Sequence, residues 1–426
     1  VEKPIQPRTL KGFNDYLPEQ AARRLYVTER LRRVFEGWGY QPLETPTLEY
    51  ADVLLGRYGA EAEKLIYRFQ DFGGRDVALR YDQTVPFARV VAQHRTLPRP
   101  FRRYQFQRVW RGENTSRGRE REFTQGDVDV AGAAGTVADA ETLAIASAGY
   151  RAIGFPRLRI LVNDRTLFDQ LGLRKPEVIA VDKLAKIGAD GVVRELVQLG
   201  RAESEARDLL ERLRESRPGP RLEEVMATAL DLGMPAEDLE YDPTLARGLE
   251  YYTSTVLEVT SPDYTAGSLG GGGRYDGLIR RFTGQDVPAV GFSFGLERVT
   301  EALEAVGAFQ DFRAAPVAVA VALGRAQLGW AGQVAAGLRA AGVSVAMGAD
   351  PDGGAGKQIG AAAKLGARYA ILVGDAEAGA RRATLKDLDS GEQETLAPDD
   401  LLRRLQAASP ASVQGESVRG DATGVR

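Results

Sequence analysis

No cysteine occurs in the 426 residues, and histidine occurs once, at His94. The first absence excludes disulfides, thiolate zinc sites and cysteine nucleophiles. The second leaves a Ser-His-Asp hydrolase one residue to work with and makes a multi-histidine metal site impossible. No apolar run approaches the roughly 18 residues of a membrane span, so no membrane association is expected. Val1 to Leu10 is polar and carries Pro4 and Pro7, unlike a secretory signal, which makes a cytoplasmic location the expectation. Charge of neither sign dominates: 56 Lys and Arg face 59 Asp and Glu, for a net −3. That balance argues against indiscriminate nucleic-acid binding but permits a local basic surface. Any chemistry must rest on carboxylates, arginines, tyrosines or bound cations.

What is present reads as two to four domains of ordinary globular composition. Leu25, Val27, Leu31, Val34 and Phe35 recur at helical spacing, which predicts a helix over Ala21–Trp38. It ends at Gly39-Tyr40, because Pro42 and Pro46 cannot continue it. Strands are predicted at Ala78–Arg80, Tyr104–Trp110, Phe123–Val130 and Leu158–Val162, with a helix at Val137–Ala152. Charged helical stretches such as Glu203–Glu215 dominate residues 172–238, which we read as a helical insertion. Strands resume at Thr253–Thr260, and a helix follows at Glu297–Val306. The first domain would then comprise residues 1–171 and 239–307. After a linker at 308–315, strands at Val317–Leu323, Val343–Met347 and Tyr369–Val373 alternate with helices at Gln327–Ala341 and Gly356–Leu365. This predicts an α/β domain over 316–406 with a largely parallel sheet. Residues 407–426 hold few large apolar side chains and are expected to be disordered.

Four segments can carry chemistry. Arg108-Val-Trp-Arg111-Gly-Glu113 and Arg117-Gly-Arg119-Glu-Arg121 place five arginines within fourteen residues. On a strand, Arg111 and Glu113 would project to one face, the first able to grip a phosphate and the second an amino group. On the return strand Gln125, Asp127 and Asp129 would share a face. Taken alone, a solvated charged hairpin explains this pattern as well. Gly270-Gly-Gly-Gly-Arg274-Tyr275-Asp276-Gly277 lacks the lysine and spacing of a phosphate-binding loop, and predicts a flexible turn. Gly291-Phe-Ser-Phe-Gly295-Leu-Glu297-Arg298 suits a strand with one bare face, followed by a helix with Arg298 in its first turn. Arg247-Gly-Leu-Glu-Tyr251-Tyr252 precedes a strand, where paired tyrosines more often pack than bind.

Together these segments resemble the class II aminoacyl-tRNA synthetases. Arg111/Glu113 is similar to their motif 2 and Gly291…Arg298 to motif 3. Gly39-Tyr40 through Pro46 and Glu49, after a long helix, resembles motif 1, the dimer-forming element. Arg247-Gly-Leu-Glu-Tyr-Tyr and Gly-Gly-Gly-Arg-Tyr-Asp resemble the two signatures of the histidyl-tRNA synthetases, as do Leu79-Arg-Tyr-Asp82-Gln-Thr84 and Thr384-Leu-Lys-Asp-Leu. The likeness covers about residues 8 to 406. It implies an α+β catalytic domain on a mainly antiparallel sheet, a helical insertion and a C-terminal α/β anticodon-binding domain. It also implies a homodimer held through the motif 1 helix and strand.

By matching position, histidine would be bound by Asp82, Thr84, Arg111, Gln125, Asp129, Arg247, Tyr251 and Tyr252. ATP would be bound by Arg111, Glu113, Arg119, Arg121 and Arg298, with Arg247 and Arg111 catalytic and Mg²⁺ as cofactor. The partners implied are L-histidine, ATP and tRNA(His). Glu250 stands where the family usually carries aspartate, and Asn114-Thr-Ser-Arg117 where many bacterial members carry Arg-Pro-Gln. Two other readings stay open. One is a regulatory subunit of ATP phosphoribosyltransferase that reuses the fold to sense histidine, and the other is a pure RNA-binding or scaffold module. Such regulatory proteins typically lose the arginine signature and lack the anticodon-binding domain, whereas Arg247 and residues 316–406 are present here.

Overall fold

A computed structural model describes residues 5–55, 66–116, 118–246, 251–310 and 312–408. Packing divides the chain into two units, Val1–Asp15 with Arg24–Ala308 and Tyr16–Arg23 with Phe309–Arg426. The first unit is built on β1 (Gln41–Pro42), β2 (Leu48–Tyr50), β3 (Arg68–Gln70), β4 (Asp76–Leu79), β5 (Phe101–Trp110) and β6 (Glu122–Ala131). It continues with β7 (Arg159–Asp164), β8 (Leu239–Tyr241), β9 (Thr255–Thr260), β10 (Gly270–Arg274) and β11 (Ala289–Gly295). Eight of these form one sheet in the order β1-β5-β6-β11-β10-β9-β7-β8, and β2-β4-β3 form a second. The large sheet is antiparallel except at its edges, where β1 joins β5 and β8 joins β7 in parallel.

Strict alternation gives the central strands two unlike faces. Tyr104 and Phe106 on β5, Val128 and Val130 on β6, and Phe292 and Phe294 on β11 share one face. The helices Pro18–Gly37 and Thr136–Ile153 cover it. Phe35 stacks on Phe106 at 5.7 Å, and Tyr150 meets Phe294 at 4.7 Å. A Cβ on Gly149 would lie 2.9 Å from the Phe294 ring, so the helix approaches as closely as glycine permits. Truncating a ring in such a core costs about 3–5 kcal/mol. The opposite face carries Arg103, Gln105 and Gln107, then Gln125, Asp127 and Asp129, then Gly291, Ser293 and Gly295.

Two expectations are corrected here. The glycine run is β10, a strand clamped between β9 and β11, and not a flexible turn. A Cβ on Gly270 would lie 2.5 Å from the Ser293 carbonyl oxygen, so close neighbours, not flexibility, demand glycine. Arg111 and Glu113 are not on a strand, because β5 ends at Trp110. The loop that carries them is held by the Arg111 N–H donating to the Arg121 carbonyl at 2.8 Å.

The helices Thr166–Gln170, Lys175–Asp182, Leu184–Gln198 and Glu203–Glu215 share a core that includes Phe168, Val181, Val192, Leu209 and Leu213. The helix Pro220–Asp231 does not join them. It lies against Thr136–Ile153, where Arg221 donates to Thr255 Oγ1 at 2.9 Å and to Asp139 Oδ2 at 3.2 Å. The stretch read as an insertion thus ends with a helix that packs with the sheet's own elements.

In the second unit β12 (Ala318–Ala322), β13 (Val345–Met347), β14 (Tyr369–Val373), β15 (Ala383–Asp387) and β16 (Gln393–Leu396) form a sheet in the order β13-β12-β14-β15-β16. The first three are parallel as expected, but β15 and β16 add an antiparallel hairpin. Its turn is built by Asp387, whose carboxylate accepts the Asp389 and Ser390 N–H groups, and by Gly391 at φ +80°. Gln393 and Glu394 are exposed, so β16 lacks the apolar alternation that would reveal it. Ala407 and Ala408 end the helix Pro398–Ala408 rather than begin a tail, and residues 409–426 lie outside the described residues.

Candidate active site

The polar face of β6, β11 and β10 floors a cleft of about 370 Å³. Glycine makes the floor low. A Cβ on Gly291 would overlap Asp129 Oδ1, and one on Gly273 would press on Tyr252 at 2.9 Å. The bare face expected of the Gly291–Gly295 strand is therefore real, and Asp129 already occupies part of it.

One end of the cleft is acidic. Asp82, Asp127 and Asp129 are all 2–3% exposed and line it. Beneath them lies Arg103, fully buried, with Nη2 2.6 Å from Asp129 Oδ2 and 3.7 Å from Asp127 Oδ2. The closer pair is an ion pair whose angle falls outside hydrogen-bond geometry. The guanidinium also sits 4.8 Å over the Phe87 ring and donates to Gln105 Oε1 at 3.0 Å. Asp129 Oδ1 accepts from the Tyr275 hydroxyl. Asp82 accepts the Val85 N–H at 3.1 Å.

Burial pushes the Asp82 carboxyl up to about 6, with the Val85 N–H, Arg111 and Arg103 pulling the other way. Burial likewise pushes Asp127 up to about 7 against the pull of Arg103. Asp129 is raised by the same desolvation, opposed by Arg103 and the Tyr275 hydroxyl. Three carboxylates thus share Arg103 and Arg111, with Arg80 also acting on Asp127. A desolvated acidic cluster in a cleft is the arrangement a cationic ligand completes.

The rest of the cleft is basic. Arg111 donates to the Tyr81 carbonyl at 3.0 Å and lies 5.0 Å over the Phe123 ring. Arg298, in the first turn of the helix Leu296–Ala305, donates to the Ser268 and Gly118 carbonyls at 2.7 and 3.3 Å. Arg119 is largely exposed and 4.0 Å from Glu113 Oε2. Glu297 is held by Arg24 at 2.8 Å and by the Thr124 N–H at 3.0 Å, which ties the start of that helix to β6.

Of the residues singled out in the sequence, Asp82, Thr84, Arg111, Glu113, Arg119, Gln125, Asp129, Tyr251, Tyr252 and Arg298 come together in this one cleft. Tyr251 packs edge-on to Tyr252 and Tyr275, and its hydroxyl meets Thr84. Arg121 is not among the lining residues; its Nε donates to the Glu113 carbonyl at 3.1 Å and so supports the loop. Arg247 lies outside the described residues, as do Arg117 and Glu250. Sequence reasoning missed Arg103, Ser293 and the Tyr275 hydroxyl as parts of the site. Arg103-Tyr-Gln105-Phe-Gln107 alternates polar with aromatic, a period-two signal that places the arginine on the face of Asp127 and Asp129.

A mainly antiparallel sheet with an arginine loop after one strand and an arginine-bearing strand–helix beside it defines the catalytic domain of a class II aminoacyl-tRNA synthetase. Comparison with known proteins narrows this. Residues 12–299 match the histidyl-tRNA synthetase family, and residues 317–408 match an anticodon binding domain. The histidine–tRNA ligase of Aeropyrum pernix is 40% identical over 95% of this chain and 99% of its own length. That of Rhodopirellula baltica is 36% identical over 95% of this chain and 100% of its own. The crystal structure of histidyl-tRNA synthetase from Nostoc sp. PCC 7120 superposes with a TM-score of 0.84 at 31% identity, over 95% of this chain and 100% of that one. The chain belongs to the histidyl-tRNA synthetase family. Its activity is the ATP-dependent activation of L-histidine to histidyl-adenylate, followed by transfer of the histidyl group to the 3′ end of tRNA(His).

Proposed function

We propose a division of labour along the cleft, carried by its polarity: an acidic, buried end for histidine and an arginine-lined end for ATP. Asp82 and Gln125 take the α-ammonium. Asp129, oriented by Tyr275 and Arg103, takes an imidazole N–H, with Thr84, Tyr251 and Tyr252 closing around the ring. Arg111 bridges the substrate carboxylate and the α-phosphate, and Glu113 accepts from the adenine amino group. Arg298 and Arg119 hold the β,γ end of the triphosphate, and Arg121 positions Glu113. By its match to the family signature, Arg247 acts with Arg111 on the α-phosphate.

A carboxylate oxygen of histidine attacks the α-phosphorus in line, the bond to the bridging oxygen breaks, and pyrophosphate leaves. The terminal ribose hydroxyl of the tRNA then attacks the acyl carbon, and AMP leaves. Positioning and charge neutralisation suffice for both steps, so a chain with a single histidine loses nothing. Among the described residues no cluster of three or more acidic, histidine or cysteine side chains could hold a metal. Mg²⁺ bound with ATP would neutralise charge on the phosphates, and Glu113 and Glu120 are the cleft carboxylates that would help hold it.

The protein works as a cytoplasmic homodimer joined through the helix Pro18–Gly37 and the strand through Pro46. Leu48, Tyr50 and Phe69, exposed on the small sheet that follows, support such an interface. Among the described residues no helix is long and apolar enough to cross a membrane. The test is Arg111→Ala in histidine-dependent ATP–pyrophosphate exchange. Loss of one preorganised donor costs about 10²–10³ in turnover; near-normal exchange would remove Arg111 from the reaction.

A further inference from the structure

One buried carboxylate has no task in that scheme. Asp127 lies on β6 midway between Gln125 and Asp129, on the same face, and lines the cleft at 2% exposure. Its Oδ2 is 3.7 Å from Arg103 Nη2, beyond hydrogen-bond reach, and Arg103 and the Ser293 side chain both favour its charged form. Its Oδ1 is buried with no partner. Asp82 Oδ2 and Gln125 Oε1 share that condition, whereas Asp129 Oδ2, also without a hydrogen bond, has the Arg103 guanidinium 2.6 Å away. The Gln125 amide nitrogen is spent on Ser293 Oγ at 2.8 Å, so its oxygen is the free end.

A buried acceptor left unpaired is costly, and three in one cleft make it incomplete until donors arrive. An ammonium group offers three N–H donors, no acceptor and a positive charge. It matches the three open oxygens in number and the acidic lining in sign. Neutral water would supply donors but no positive charge. We propose that Asp127 is a third anchor for the α-ammonium group of the amino-acid substrate, beside Asp82 and Gln125. The assignment rests on reading the cleft as the histidine pocket. It makes the site selective for a free, protonated amine over des-amino or N-acylated ligands. The raised position of Asp127 near 7 agrees with a carboxylate that waits for its cation.

Asp127→Asn keeps the side-chain shape while removing the charge. Three ligands separate the possible roles: L-histidine, histidinol, which keeps ring and amine, and imidazolepropionate, which lacks the amine. Equilibrium binding should weaken for histidine and histidinol by about 10- to 150-fold, the range of one charged hydrogen bond, with imidazolepropionate little changed. Asp82→Asn, measured in parallel, should give the same pattern. Equal weakening of all three ligands in Asp127→Asn would assign the residue to the ring or to the fold and overturn the proposal. Unchanged binding of all three would also overturn it. If Asp82→Asn and Asp129→Asn leave histidine unaffected as well, the histidine-pocket reading itself fails, a result distinct from failure at Asp127 alone. Should Asp127→Asn not fold by thermal unfolding, Asp127→Ser serves the same comparison.

Discussion

Lowering the pH should stabilise the ligand-free enzyme between pH 8 and pH 5, because its acidic cluster is held ionised at a cost. Asp127 near 7 and Asp82 near 6 lie above the ordinary carboxyl value of 3.8. For a carboxyl raised on folding, the cost is absent below 3.8 and complete once the pH exceeds the folded value. From pH 8 to pH 5 the relief is about 3 kcal/mol for Asp127 and about 1 kcal/mol for Asp82, at 1.36 kcal/mol per pH unit. Ion-paired carboxylates such as Glu177, held down at about 2 by Arg201 and Arg174, act in the opposite direction but only as the pH falls toward 4. Histidine should reverse the effect by supplying the missing cation. At pH 6.5 the two carboxyls together hold about one proton, which binding should expel; at pH 8.5 they hold almost none. Calorimetric titration of histidine in buffers of different ionisation enthalpy reads this number. Comparison with Asp127→Asn cancels the proton that the substrate's imidazole exchanges, and wild type should release more protons than Asp127→Asn at pH 6.5. Stability that is level or rises with pH across this window would refute the reasoning, and so would equal proton release by wild type and Asp127→Asn.

Gly291→Ala puts a methyl group onto Asp129, so it should destabilise the enzyme by about 1–3 kcal/mol and raise the histidine Michaelis constant; urea unfolding and exchange kinetics check both. Removing residues 316–426 should weaken tRNA charging far more than pyrophosphate exchange, and equal loss of both in a folded protein would contradict the separation. Light scattering at micromolar concentration should give twice 46.2 kDa, with Tyr50→Asp shifting the protein toward monomer.

The site was legible in the sequence where residue type and period coincide. Gln125, Asp127 and Asp129 alternate with small or apolar residues, and that alone put three polar groups on one face of β6. The glycine run was misread because its cause lies in other strands: β9 and β11 press on β10, and no local pattern in Gly270–Gly273 records it. Arg111 and Glu113 reach the cleft from a loop, whose path depends on a bond from Arg111 to the Arg121 carbonyl ten residues away. Arg103 was passed over because a fully buried guanidinium looks like any other charged residue until its carboxylate partners on the neighbouring strand are known. The helix Pro220–Asp231 was assigned to the insertion by composition, whereas its partners Asp139 and Thr255 are far away in sequence.

The most direct test of the acidic end as a histidine pocket is ATP–pyrophosphate exchange with each amino acid in turn, on the wild type and on Asp129→Ala. Histidine alone should support exchange. Asp129→Ala should raise the histidine Michaelis constant about 10- to 150-fold, the value of one charged hydrogen bond, with that for ATP little changed. Exchange driven by a different amino acid, or an unaltered histidine constant in a folded Asp129→Ala enzyme, would contradict the assignment.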